Sequence, residues 1–232
     1  HLDPPRLRLP GSLIAGPDDE TAADTMEEID TDLQRDILAN LPPERAATIL
    51  QEMEPDEIAD LLARMPEERS QELLRLINPE ESEDVQELLE YEADTAGGLM
   101  TTAYVILNQT HTAVEALEIV RHNILENDIR LPYVYCVVDE TQDEAQVLGS
   151  VSLWEMLVAT PAQTLQDLME TDILSVTPDT DAHDVAEKMA KYNLLAIPVV
   201  NTEGILEGVV TVDDALDVLL PPERRRRPSR MY

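Results

Sequence analysis

Three short patterns beyond residue 95 occur twice, about 60 to 70 residues apart, and this duplication narrows the possible folds more than any other feature,. Leu99-Met100-Thr101 returns as Leu168-Met169-Glu170. Val137 and Val138 before Asp139 return as Val199 and Val200 before Asn201, and Gly149-Ser150-Val151-Ser152 returns as Gly208-Val209-Val210-Thr211. Each copy reads strand, helix, strand, turn, strand, helix, with the long helices expected over 112–123 and 181–192,.

The second copy closes on the clearest candidate site, residues 208–220, GVVTVDDALDVLL. Val209, Val210 and Val212 suit a buried strand, while Ala215, Leu216, Val218, Leu219 and Leu220 supply one face of a helix that carries Asp214 and Asp217 one turn apart,. A strand thus hands over to a helix N-terminus, whose unpaired N–H groups and dipole favour acidic side chains and also a phosphate. Two readings stay open for Thr211 and Asp214: a capping box, or groups that meet a ligand. Asp217 lies too far into the helix to cap it.

Residues 1–16 carry prolines and glycines without apolar periodicity and read as a tail,. Over 17–95 the pattern is helical, with prolines recurring about every 12 residues, at 42–43, 55, 66 and 79, each followed by acids,. Proline suits the first helical turn and acids there favour the dipole, so this part is expected to be an array of short helices. On the helix opening at Pro55, Asp56 and Asp60 share a face away from Ile58, Leu61 and Leu62; a solvated acidic face is the competing reading, as it is for Asp24,. Gly97 and Gly98 break the helical pattern and read as a hinge.

The 232 residues include 49 acidic and 16 basic ones, a formal charge of -33 that repels nucleic acid and anionic lipid and attracts cations,. Self-repulsion on this scale opposes compact acidic surfaces unless counterions or divalent cations neutralise them. There is no phenylalanine, which argues against an aromatic-lined cofactor cage,. The one cysteine, Cys136, lies in the apolar run YVYCVV and reads as a buried structural thiol,. With no nucleophile and base pair and no glycine-rich phosphate loop, the chain does not read as an enzyme. No signal peptide is visible, and no apolar run approaches the roughly 20 residues that span a bilayer.

The alternation of each copy, ending in Ser152 three residues before Glu155 and in Thr211 three before Asp214, resembles a tandem pair of cystathionine-β-synthase (CBS) domains, a pseudo-twofold Bateman module. Each copy is too small to bury its own sheet well, and the family packs such copies as pairs that commonly dimerise. Proline-punctuated acidic helices, then YEADTAGGLM at 91–100, then two CBS copies closing on TVDD together resemble the cytosolic region of the MgtE magnesium channel family over residues 17–222. The resemblance implies an α + α/β fold, a superhelical array of short helices followed by the CBS pair. Its segments are a tail at 1–16, an acidic helical domain at 17–95, CBS copies at 96–162 and 163–222, and a basic tail at 223–232.

It further implies a homodimer on the cytoplasmic face of the membrane that senses Mg²⁺ and gates a transmembrane pore domain of the same native chain. By position, the family's acids fall at Asp24, Asp56 and Asp60 in the helical domain and at Asp181, Asp214 and Asp217 in the CBS pair. His183 and Asn193 stand where family members can carry acids, and Arg224 to Arg227 stand where the family continues into an acidic connecting helix.

Single aspartates suffice for Mg²⁺, a hard cation that keeps several waters and uses one or two carboxylates. A calcium EF-hand pattern is absent, and His111, His122 and His183 lack the paired spacing of zinc ligands,. The alternative ligand is an adenosine nucleotide such as ATP, with Thr211 near phosphate and Asp214 on the ribose. The main expectation is that Mg²⁺ carries the helical and CBS parts from an open to a closed arrangement about the glycine hinge.

Overall fold

The structure is a computed structural model that describes residues 22, 26, 29, 31–127, 132–140 and 146–220. The chain forms two compact units, the first running to Gln86 and the second over Glu87–Pro221.

In the first unit, α1 (Thr31–Asn40), α2 (Pro43–Leu50), α3 (Pro55–Ala63), α4 (Glu67–Leu74) and α5 (Pro79–Leu88) follow one another through short turns. Pro43 and Pro55 stand in the first turns of α2 and α3, where a missing N–H is harmless, and Pro66 is the N-cap of α4,. Glu44, Asp56, Glu57, Glu67 and Glu68 fill the first turns. Leu38, Ile49, Leu50, Ile58, Leu61, Leu62, Leu73 and Val85 are buried as the core. The opposite end of a helix needs a cation, and Arg69 supplies it: its Nη2 donates to the carbonyls of Leu38 and Leu41 at 2.9 and 2.8 Å, at the end of α1,.

The second unit contains α6 (Ala96–Leu99), β1 (Ile106–Asn108), α7 (Ala113–Asn127), β2 (Tyr133–Val137), β3 (Gly149–Ser152), α8 (Leu153–Val158), α9 (Leu165–Leu168), α10 (Ala182–Tyr192), β4 (Ala196–Val200), β5 (Leu206–Thr211) and α11 (Val212–Leu219). In the first copy β1 and β2 are parallel and β3 is antiparallel to β2. In the second copy β4 and β5 are antiparallel. The expected first strand of the second copy is reduced to one parallel bridge, Val176 with Val199. Pro178, two residues on, has no N–H with which to continue a ladder.

The duplication is also an interlock. Thr101 exchanges both backbone hydrogen bonds with Val209 of β5 at 2.9 and 3.0 Å, and its equivalent Glu170 does the same with Ser150 of β3 at 2.9 and 3.0 Å. Each copy therefore adds its leading residue to the other copy's last strand. Glycine makes the approach possible: a Cβ on Gly149 would lie 2.5 Å from the Glu170 carbonyl oxygen, and one on Gly208 2.6 Å from the Met100 Sδ. Within β2, Val134 and Cys136 face the first copy's core, while Tyr135 between them packs with Ala196, Leu206 and Val209 of the second,. The Cys136 thiol is buried there and pushed up to about 12, so it is held as an unreactive thiol,.

The glycines at 97 and 98 are not a hinge. The amides of Ala96 and Gly97 donate to the carbonyls of Thr180 and Pro178 at 2.7 and 2.9 Å, and Ala182 donates back to Asp94 at 2.9 Å. A Cβ at Gly97 would meet the Tyr91 ring at 2.5 Å, and one at Gly98 the Glu92 carbonyl oxygen at 2.4 Å. Both are glycine because the chain packs on itself at this point, and the segment is fastened into the second unit.

Candidate functional site

β5 is pinned by the buried Val209 and Val210, and α11 by Ala215, so their junction is held in place. Thr211 has extended backbone (φ -88°, ψ 164°), and its side chain caps no helix amide. Its hydroxyl instead faces two carboxylates, Asp213 Oδ1 at 2.7 Å and Asp214 Oδ2 in a shorter contact. With one proton to donate, it serves one of them at a time.

Capping is realised at the equivalent place in the first copy. There Ser152 Oγ accepts from the Glu155 amide at 3.2 Å, and Glu155 Oε2 accepts from the Ser152 amide at 2.9 Å. The capping reading therefore holds for Ser152 and fails for the Thr211 hydroxyl. Asp217, half-buried, lies one turn beyond Asp214 on α11. Trp154 and Val158 occupy the first-copy positions of Asp213 and Asp217, so only the second copy carries the acidic set. Asp213 was not singled out by spacing; its place two residues after the strand-ending threonine is the signal that could have found it.

In the first unit Asp56 and Asp60 lie four residues apart on α3, both half-buried. Burial pushes the Asp60 carboxyl above its ordinary range, and Arg64 draws it back only in part,. A carboxylate in that position gains from any cation that reaches it.

Asp181 is the N-cap of α10, where its Oδ1 accepts from the amides of His183 at 2.9 Å and Asp184 at 3.3 Å,. His183 Nδ1 lies 3.8 Å from Glu187 Oε1. Asn193 ends α10 in the left-handed conformation (φ 54°, ψ 45°), which asparagine tolerates better than most residues, so the helix end accounts for its identity,. Asp24 and Arg224 to Arg227 lie outside the described residues.

Among the described residues, no three His, Cys, Asp or Glu side chains gather into a ready metal site. The carboxylates come in twos: Asp56 with Asp60, and Asp214 with Asp213 or Asp217. All-oxygen donors in pairs fit a cation that keeps most of its own water, as Mg²⁺ does, and suit a zinc-type cage poorly. The second unit also exposes apolar side chains on the helices that follow its last strands: Trp154 (74%), Leu157 and Val158 (82%) on α8, with Leu216 and Leu219 on α11.

Residues 12–94 match the family described as the MgtE intracellular N domain, and residues 165–221 match the CBS domain. The magnesium transporter MgtE of Thermus thermophilus is 40% identical over 136 residues, 59% of this chain but 29% of that protein. The crystal structure of the cytosolic domain of the Mg²⁺ channel MgtE in complex with ATP superposes with a TM-score of 0.82 at 34% identity, covering 90% of this chain and 84% of that one. A cystathionine β-synthase pair domain of a Mg²⁺ transporter from Shewanella oneidensis shares the fold, with a TM-score of 0.54 at 20% identity over 72% of this chain and 94% of that one. Among the described residues, no helix is long and apolar enough to cross a membrane.

Proposed function

This chain belongs to the MgtE family as a counterpart of its cytosolic region, with helical N domain and CBS pair, and from that premise we propose that it is a Mg²⁺-sensing regulatory module. Mg²⁺ held by Asp56 and Asp60 of the helical unit and by Asp214 and Asp217 of the CBS pair, with Asp181 and Asp24 as further ligands, favours a closed form of the chain. Closure in turn gates a magnesium pore that belongs to the same native protein at the cytoplasmic face of the membrane. The observation that carries this reading is the pairing of carboxylates in each unit, Asp60 among them held where burial disfavours its charge.

A ligand shifts such an equilibrium only by its differential affinity for the two forms. Several weak sites, each filled at ten times its dissociation constant, contribute about 1.4 kcal/mol apiece, enough together to reverse a modest preference for the open form. Because Gly97 and Gly98 are fastened into the second unit, the motion this requires lies elsewhere than at those residues.

A second ligand, ATP, is favoured by the 34% identical relative crystallised with it and by the Thr211 hydroxyl, which is not used as a helix cap. Homodimerisation through α8 and α11 is supported by the exposed Trp154, Leu157, Val158, Leu216 and Leu219.

Calorimetric titrations with Mg²⁺ and, separately, ATP test the reading. Mg²⁺ is expected to give saturable binding and a smaller radius of gyration, with the midpoint moved to higher Mg²⁺ in Asp56→Ala, Asp214→Ala and Asp217→Ala. Thr211→Ala is expected to weaken ATP alone. An equal response to Na⁺ at matched ionic strength, or an unchanged response in the triple aspartate variant, would reduce the effect to charge screening.

A further inference from the structure

The charge of this chain poses a problem that a few Mg²⁺ ions do not solve. Of its 16 basic residues only two are lysines, Lys188 and Lys191, both on α10. Lys188 donates to the Ser175 carbonyl at 3.3 Å, and Lys191 lies 5.0 Å from the centre of the Tyr192 ring. Among the described helices, the last turns of α1 to α5, α7 and α11 carry no basic residue of their own, although that is where a cation would be favoured; Arg69 reaches the end of α1 from α4, and Arg64 and Arg75 follow α3 and α4 as their C-caps,. Exposed like charges also stand one helical turn apart, Glu83 with Glu87 on α5 and Glu115 with Glu118 on α7, whereas Glu72 on α4 is paired with Arg69 at 2.7 Å,.

The Debye length decides what this costs. At about 0.15 M salt it is roughly 8 Å, longer than the 5 to 6 Å between neighbouring side chains one turn apart, so these pairs repel. At about 1 M it falls to roughly 3 Å, shorter than the same separation, and the repulsion is largely removed.

The interior points the same way by a different route. No phenylalanine is present, and the second unit's cores are built largely of Val, Ala and Leu, side chains that release less free energy on burial than aromatic ones,. Solutes excluded from the protein surface, such as sulfate or sucrose, strengthen apolar burial, so a core of small side chains gains from them by a route separate from the screening of charge.

We propose that this chain is built to fold and work in molar concentrations of a monovalent cation, which supplies the countercharge that its own lysines and arginines do not. The ions act as a diffuse atmosphere over the surface and not at a particular site. This inference does not rest on the Mg²⁺ reading: it concerns the stability of the fold with divalent cations removed.

The test is thermal unfolding of the chain followed by circular dichroism in EDTA, between about 0.15 M and 2 M KCl. The midpoint is expected to rise by about 10 °C or more over that range. A second protein carrying Glu68→Gln, Glu83→Gln, Glu118→Gln and Glu203→Gln, all exposed and none of them a proposed ligand, is expected to be more stable in dilute salt and to gain less from KCl. Sucrose, which strengthens burial without screening charge, is expected to give the wild-type chain less than half of the KCl gain. A midpoint that is flat or falls with KCl overturns the proposal. So does sucrose matching KCl, or a substituted protein whose salt dependence runs parallel to the wild type.

Discussion

At position 60 a carboxylate sits where burial works against its charge, with Arg64 a partial remedy. Because the folded-state value is raised, the folded helical unit takes up a proton more readily than the unfolded chain. Asp60 therefore favours folding at low pH, and that contribution is lost as the pH rises through its folded value. At neutral pH without metal, the ionised group is a local cost. Asp60→Asn, which keeps the shape and removes the charge, is expected to raise the thermal midpoint at pH 7 in EDTA by about 2 °C or more, with the advantage fading on acidification. The same change is expected to reduce the stabilisation that Mg²⁺ gives. A lower midpoint for Asp60→Asn at pH 7 would mean that the carboxylate is satisfied by its own surroundings and has no use for a cation.

Among the elements, β3 and β5 carry equivalent glycines with unequal neighbours. A Cβ at Gly149 runs into the Glu170 carbonyl, part of the paired backbone bonds with Ser150, whereas one at Gly208 meets the Met100 side chain. A thioether has rotamers to change, although Met100 is fully buried; a carbonyl in a bridge can move only with its strand,. Gly149→Ala is expected to destabilise the second unit by about 1 to 3 kcal/mol, the range for overpacking, and Gly208→Ala by less. Urea unfolding of the two variants side by side checks the order, and equal losses would show that the pseudo-twofold equivalence extends to energetics. The strand-to-helix junctions diverge too: Ser152 is committed to its cap, while Thr211 turns its hydroxyl to Asp213 and Asp214, so the duplicated geometry makes a helix cap in one copy and a hydroxyl–carboxylate cluster in the other.

For the whole molecule, Trp154 and Val158, with Leu157 between them, are among the most exposed apolar side chains of the described residues and stand together on α8,. The proposed dimer through α8 and α11 is expected to dissociate on Trp154→Glu, seen by light scattering as a fall to monomer mass with the far-ultraviolet circular dichroism unchanged. A wild-type chain that is already monomeric at micromolar concentration would remove the dimer from the proposed function.

Local order was legible in the sequence because it depends on neighbours in the chain. Prolines open the short helices since they lack an N–H, and β-branched runs form the strands. The duplication announced two like halves, and the family followed from the joined motifs. What joins the halves was decided in three dimensions, by contacts between residues distant in sequence. Thr101 pairs with Val209 and Glu170 with Ser150, and Gly97 packs beneath Tyr91 where its composition suggested a hinge. The sequence pattern treats Ser152 and Thr211 alike, as polar groups three residues before an acid. Only the folded chain separates them, because a hydroxyl chooses between a helix amide and a carboxylate according to which of the two the packing places within its reach,.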